Sequence, residues 1–202
     1  MNRLITLRRA LVTATAGIAV LVLAACGGEK GDGMEGMDHG SGDDQPAPST
    51  SAAFNDADVM FAQMMIPHHR QAVEMATLAE TRAEDPEVKA LAAAIKGAQD
   101  PEITTLTGWL TSWGQPVEAP AGHGSMPGIL SDEDMTNLAA ATGKAFDKAF
   151  AELMIAHHEG AISMAEEEKA NGQNPDAVAL AGTIAAAQTA EIEQLRGILA
   201  RL

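Results

Sequence analysis

Apolar residues along this 202-residue chain fall into stripes of helical period over four long stretches, separated by Gly- and Pro-marked breaks. In the first stretch, Phe61, Met64, Met65, His68, Ala72 and Met75 share one face. With Asn55 or Asp56 as N-cap, they predict a helix to about Arg82. Asp85-Pro86 then reads as an N-cap followed by a first helical residue. The helix it opens runs toward Trp113 and stops at Gly114, with a kink or short break expected near Ala98 because Asp100-Pro101 lies inside it. Ser131-Asp-Glu-Asp134 resembles a capping box and predicts a short helix to about Ala141. A long helix from Lys144 to about Ala170 ends at Asn171-Gly172, and Asn174-Pro175 starts a last one that reaches the C-terminus.

The first and last pairs of these helices repeat each other. Phe61–Ala76 reads FAQMMIPHHRQAVEMA, and Phe150–Ala165 reads FAELMIAHHEGAISMA. The register holds without a gap through Pro86/Pro175, Leu91/Leu180, Gln99/Gln188, Glu102/Glu191 and Leu110/Leu199, with 22 identities over the 53 positions from Asp58 to Leu110. That is an internal duplication. The predicted fold is all-α: a four-helix bundle of two αα-hairpins related by a pseudo-twofold axis, over residues 54–202. Its halves are 54–113 and 131–202, joined by a Gly/Pro-rich linker over 114–130.

The ends change the picture of where the bundle works. Arg3, Arg8 and Arg9 precede an uncharged apolar run, Ala10–Ala25, that closes on Leu23-Ala24-Ala25-Cys26. Residues 1–25 therefore read as a bacterial lipoprotein signal, too short in its apolar run for a comfortable membrane span, with Cys26 as the lipidated residue. The expected location is the outer face of the cytoplasmic membrane or the periplasm, with the membrane reached through that lipid. Residues 26–53, rich in Gly, Asp, Ser and Pro, form a tether. Cys26 is the one cysteine in the chain, so neither disulfides nor thiolate metal sites are available. Net charge is −15, and loss of the signal's three arginines takes it to −18, which argues against nucleic acid as a partner.

The duplication preserved Met-x-x-His-His-x5-Met. On a helix, i, i+3 and i+4 share a face, so Met65 lies beside His68 and His69, and Met154 beside His157 and His158. Adjacent histidines diverge by roughly 100° about the axis. His68 and His157 are expected to point most directly into the bundle, and their neighbours toward a helix boundary. The two half-sites either face each other or form separate sites. Di-iron bundles carry Glu-x-x-His at this spacing. A thioether in place of that carboxylate moves preference from iron or manganese toward copper, Cu(I) above all. The metal-ligand candidates are Met65, His68, His69, Met75, Met154, His157, His158 and Met164. Secondary candidates are Met64, the tether's Met34, Met37 and His39, and the linker's His123 and Met126. A methionine stripe by itself is ordinarily core packing. The doubling of His-His with the same flanking methionines is what favours a metal. Glu74, Glu159 and Glu166–Glu168 read as solvated helix face.

These residues resemble a bacterial family known as domain of unknown function 305. The likeness rests on the two His-His blocks, Leu110-Thr-Ser-Trp113-Gly114 and Met126-Pro-Gly-Ile-Leu-Ser-Asp-Glu, and covers about 55–202. The resemblance implies an exported, ferritin-like four-helix bundle, with copper binding in some members. It implies copper-ligand roles for Met65, His68, His69, Met75, Met154, His157, His158 and Met164. Leu153 stands opposite Met64 in the repeat, so the halves need not bind equally.

The leading expectation is a membrane-tethered copper-binding protein that buffers copper or exchanges it with a donor or acceptor protein, with no catalytic activity. One alternative is a ferritin-like redox protein, or a bis-histidine haem binder through His68 and His157. Against it, neither Glu-x-x-His nor Cys-x-x-Cys-His occurs. The other alternative is a structural or interaction module whose histidines are satisfied within the core. Oligomeric state is left open by the sequence.

Overall fold

A computed structural model describes residues 53–118 and 126–202. Its helices are α1 (Asp56–Arg82), α2 (Pro86–Ser112), α3 (Asp132–Ala140), α4 (Gly143–Asn171) and α5 (Pro175–Leu199). The caps are those the sequence signals. Asn55 accepts the Ala57 and Asp58 amides in a capping box, Ser131 does the same for α3, and Asp85 and Asn174 each precede a proline at the first turn. The expected break near Ala98 does not occur: α2 runs unbroken through Pro101. Proline costs that helix one amide donor, and α1 carries Pro67 in the same way. Buried apolar residues before and after each proline, such as Ile95 and Leu106 in α2, hold the helix in place across the missing bond.

Helices α1 and α4 form the central pair, α2 packs on α1, α5 packs on α4, and α2 touches α5 only lightly. The central pair is antiparallel. Met75, Ala79 and Ala83 near the end of α1 share a core cluster with Phe146 and Phe150 near the start of α4. Phe61 and Met65 share a second cluster with Met164 and Ala165. The duplication exchanges the two clusters: Phe61 becomes Phe150, Met65 becomes Met154, Met75 becomes Met164 and Ile95 becomes Ile184. A pseudo-twofold axis therefore passes between them, at the level of the histidines.

Two buried aspartates lock the hairpins together across that axis. Asp58 accepts the Gln173 and Asn174 amides at the α4–α5 turn, and its duplicate Asp147 accepts the Glu84 and Asp85 amides at the α1–α2 turn. Burial alone would raise the Asp58 pKa, but hydrogen bonds from the Asn55 and Asn174 amides, the Glu168 carboxyl and the Gln173 amide outweigh it and hold the carboxylate below its ordinary range. Among the described residues, no helix is long and apolar enough to cross a membrane. Cys26, Met34, Met37, His39 and His123 lie outside the described residues.

Candidate metal centre

Between the two apolar clusters lies a polar layer that the duplication built twice. His68, His69, His157 and His158 are fully buried, and Gln99 on α2 and its duplicate Gln188 on α5 are 2% and 3% exposed. The two half-sites face each other: the rings of His68 and His157 are 3.7 Å apart, centre to centre, and tilted by 38°. His157 and His158 lie 6.3 Å apart.

Each second histidine of the pair turns toward the outer helix of its own hairpin. His69 Nε2 lies 2.7 Å from Glu102 Oε2 on α2, and His158 Nε2 lies 2.7 Å from Glu191 Oε2 on α5. A carboxylate only accepts, so Nε2 of each of these imidazoles carries a proton. His68 Nε2 likewise meets the Pro127 carbonyl at 3.1 Å and must donate to it. Nδ1 of His68, His69 and His158 and both nitrogens of His157 are buried without a hydrogen-bond partner. Gln99 and Gln188 also keep unpartnered amide atoms. So many orphaned buried polar atoms are costly to an apolar core, and a soft metal ion held among the imidazoles would give their nitrogens partners.

Burial pushes His68 down to about 3, aided by the neighbouring His69 and opposed by the Pro127 carbonyl. Burial pushes His157 down to about 2, with the His68, His158 and His69 rings adding to it and the nearby His68 carbonyl opposing weakly. Both are therefore neutral imidazoles at physiological pH, the form that ligates metals. Among the described residues, no three His, Cys, Asp or Glu side chains converge as a ready-made chelate. The remaining donors for a metal here would have to be thioethers. Met65 and Met154 are fully buried on either side of the layer, as is Met75, whereas Met164 is 8% exposed. Neutral nitrogen and sulfur make a soft set, which fits Cu(I) and fits hard cations badly.

The second half of the linker is part of the site. The segment 126–130 straps across α1 and α4 at the His68/His157 level. Gln71 grips it by accepting the Leu130 amide at 2.8 Å and donating to the Leu130 carbonyl at 3.0 Å. The duplicate of Gln71 is Gly160, and it leaves room: a Cβ there would sit 2.1 Å from the Pro127 oxygen. Gly128, at φ +75°, presses on α4 from the other side, with the Ala156 and His157 carbonyls 2.8 Å from where its own Cβ would be. Gly160→Ala is therefore expected to lift the strap and cost about 1–3 kcal/mol, read as a lower denaturation midpoint. An unchanged midpoint would mean that the strap does not rest on α4.

Of the other predicted candidates, Met64 is only partly buried and Met126 sits at the start of the strap. Glu74, Glu159, Glu166 and Glu167 are solvated as expected. Glu168 is not: it is 1% exposed, and burial raises its pKa to about 8, with Asp58 adding to the shift. Its helical spacing from Met164 and Ala165 was the available signal. Glu102, Glu191, Gln99 and Gln188 were also missed as site residues, although all four are identities in the repeat.

Residues 58–199 match the domain of unknown function DUF305, and the chain belongs to that family. Three solved structures place it further. A DUF305 protein from Streptomyces coelicolor, described as secreted, is 33% identical, with 71% of this chain and 92% of that one covered at a TM-score of 0.68. CopM in its Cu(II)-bound form is 36% identical, covering 70% of this chain and 95% of that one at a TM-score of 0.61. CopM in its Cu(I)-bound form is 37% identical, covering 69% and 93% at a TM-score of 0.60. None of the curated proteins matches the sequence.

Proposed function

We propose that the histidine layer is a copper site and that the protein buffers copper, or exchanges it with a donor or acceptor protein, outside the cytoplasm. The observation that carries this is the set of unpartnered nitrogens in a closed layer: Nδ1 of His68, His69 and His158 and both nitrogens of His157. Glu102 and Glu191 give His69 and His158 the second partner that ligating imidazoles characteristically have, fixing tautomer and ring orientation. His68, His157 and the buried thioethers of Met65 and Met154 would form the centre of the donor set. The copper-bound structures of CopM support the choice of metal. Cu(I) is favoured because the donors are neutral and soft.

The location rests on the secreted relative and on the signal-like residues 1–25. Lipid on Cys26 would hold the bundle at the membrane surface on its tether. Binding without catalysis is the reading, because the layer offers copper donors and no nucleophile paired with a base.

A haem alternative is disfavoured by the geometry. A haem would have to place its porphyrin plane between the two axial imidazoles, and rings stacked on each other leave no room for it. The His68 and His157 rings are 3.7 Å apart.

Glu102→Gln with Glu191→Gln tests the proposal. It should leave the fold intact and weaken Cu(I) binding by about 10–100-fold, the usual effect of removing such partners. Competition with a chromophoric chelator reads it, and unaltered affinity would contradict the assigned role.

A further inference from the structure

Solvent comes within one side chain of the histidine layer at a place away from the strap. Helices α2 and α5 touch only lightly, and a groove of about 640 Å³ opens between them, lined by Glu87, Ala94, Glu191, Gly197, Ile198 and Arg201. Glu191 belongs both to this groove and to the layer. Its side chain is 15% exposed, and its Oε2 lies 2.7 Å from Nε2 of His158, which is fully buried. The strap side is closed by backbone: the Pro127 carbonyl caps His68, and Gly128 rests on the α4 main chain. The buried faces of α2 and α5 are also polar beside these carboxylates. Gln188 lies one turn before Glu191 on α5, and Gln99 one turn before Glu102 on α2, each with a buried amide oxygen that has no partner. The duplicate positions are bulkier, with Trp109 for Ile198 and Thr183 for Ala94, so the fuller wall lies on the Glu102 side.

We infer that copper enters and leaves the histidine layer through the groove between α2 and α5, with Glu191 receiving the ion from solvent and passing it to His158. The inference rests on the copper reading of the layer and adds the path to it. A carboxylate oxygen is a hard donor that holds Cu(I) weakly, whereas imidazole nitrogen and thioether sulfur retain it. Glu191 can therefore take up the ion without trapping it. The ion keeps its charge and oxidation state, exchanging a carboxylate oxygen for an imidazole nitrogen. Oε1 of Gln188, buried and unpartnered, is one turn away to solvate it in transit. Arg201 does not repel the ion strongly, because its charge is already matched by Asp85 and Glu87. The net charge of −15 draws cations toward the surface in which the groove opens.

The test is stopped-flow transfer of Cu(I) from a chromophoric chelator to the full chain, beside a variant that fills the groove, Ala94→Leu with Gly197→Leu. Ala94 is exposed, and a Cβ at Gly197 meets nothing within 4 Å, so the variant remains folded. A blocked path raises the barrier equally in both directions, so uptake and release should slow together by about tenfold, with equilibrium affinity unchanged. Gly108→Leu, at the duplicate of Gly197 and with equally open surroundings, should leave both rates at the parent's values. Parent-like rates in the filled variant, with affinity intact, would overturn the path and leave the copper reading standing. Equal slowing by Gly108→Leu would overturn the assignment to this groove. Loss of affinity in the filled variant would make the groove part of the binding site and overturn its role as a path. No uptake by the parent protein would overturn the copper reading, and the path with it.

Discussion

His157→Leu is expected to make the metal-free protein more stable and the copper complex much weaker. Both nitrogens of His157 are fully buried without a partner, so the side chain carries a desolvation cost that nothing in the metal-free fold repays. Leucine has similar bulk and no polar atoms. Removing the orphaned groups should raise stability by about 1–3 kcal/mol, less any loss from imperfect packing against His68. Cu(I) affinity should fall by at least the ~100-fold seen when even an outer partner of a ligand is removed. Chemical denaturation and chelator competition read the two effects separately. The opposite signs are the diagnostic feature. A histidine kept for structure would, when replaced, lower stability and leave copper indifferent, whereas a site that sacrifices stability for function gives up function as it gains stability.

The second large effect is a stability optimum of the metal-free protein near pH 6.5. His68 and His157 fall from an ordinary value of 6.5 to about 3 and about 2 on folding, so below pH 6.5 the unfolded chain holds up to two protons that the native state refuses. Stability therefore rises with pH through that window and is lost on acidification, by about 1.4 kcal/mol per pH unit for each proton. Glu168 acts in the other direction. It rises from 4.5 to about 8, so between those values the native state holds one proton more than the unfolded chain and stability falls as pH increases. The two histidines outweigh the one glutamate up to pH 6.5. Above it the glutamate acts alone, until about pH 8. Urea midpoints between pH 4 and 9 should trace a steep acid limb and a shallower alkaline one. A flat profile would contradict the burial of the pair as neutral imidazoles. Glu168→Gln should remove the alkaline limb and leave the acid one.

Much of this architecture was legible because duplication writes four of the five helices as two pairs. The cap residues Asn55, Asp85, Ser131 and Asn174, the helix ends and the hairpin pairing follow from local chemistry that tertiary contacts did not override. The facing of His68 and His157 was one of two open arrangements, and the antiparallel pairing of α1 with α4 decides it. What escaped was long-range or masked by composition. Glu168 sits in a run of three glutamates, and charge runs are ordinarily solvated, yet helical period puts one member of any such run on the inner face. Glu102 and Glu191 lie 33 residues from the histidines they hold, a pairing set by the packing of each hairpin. Pro101 suggested a break because a local rule was read without the flanking packing. The strap was hidden for a different reason: Gln71 and Gly160 are the places where the copies diverged, one to grip the loop and the other to make way for it.

The central claim is that the buried imidazoles hold copper. Its most direct test is a Cu(I) competition titration of the full chain beside a variant with His68, His69, His157 and His158 all replaced by alanine, with circular dichroism confirming that both are helical. The account predicts a tight equivalent in the parent protein that is absent from the variant. Equal retention by both would contradict it, returning the histidines to the core and the copper to the methionines.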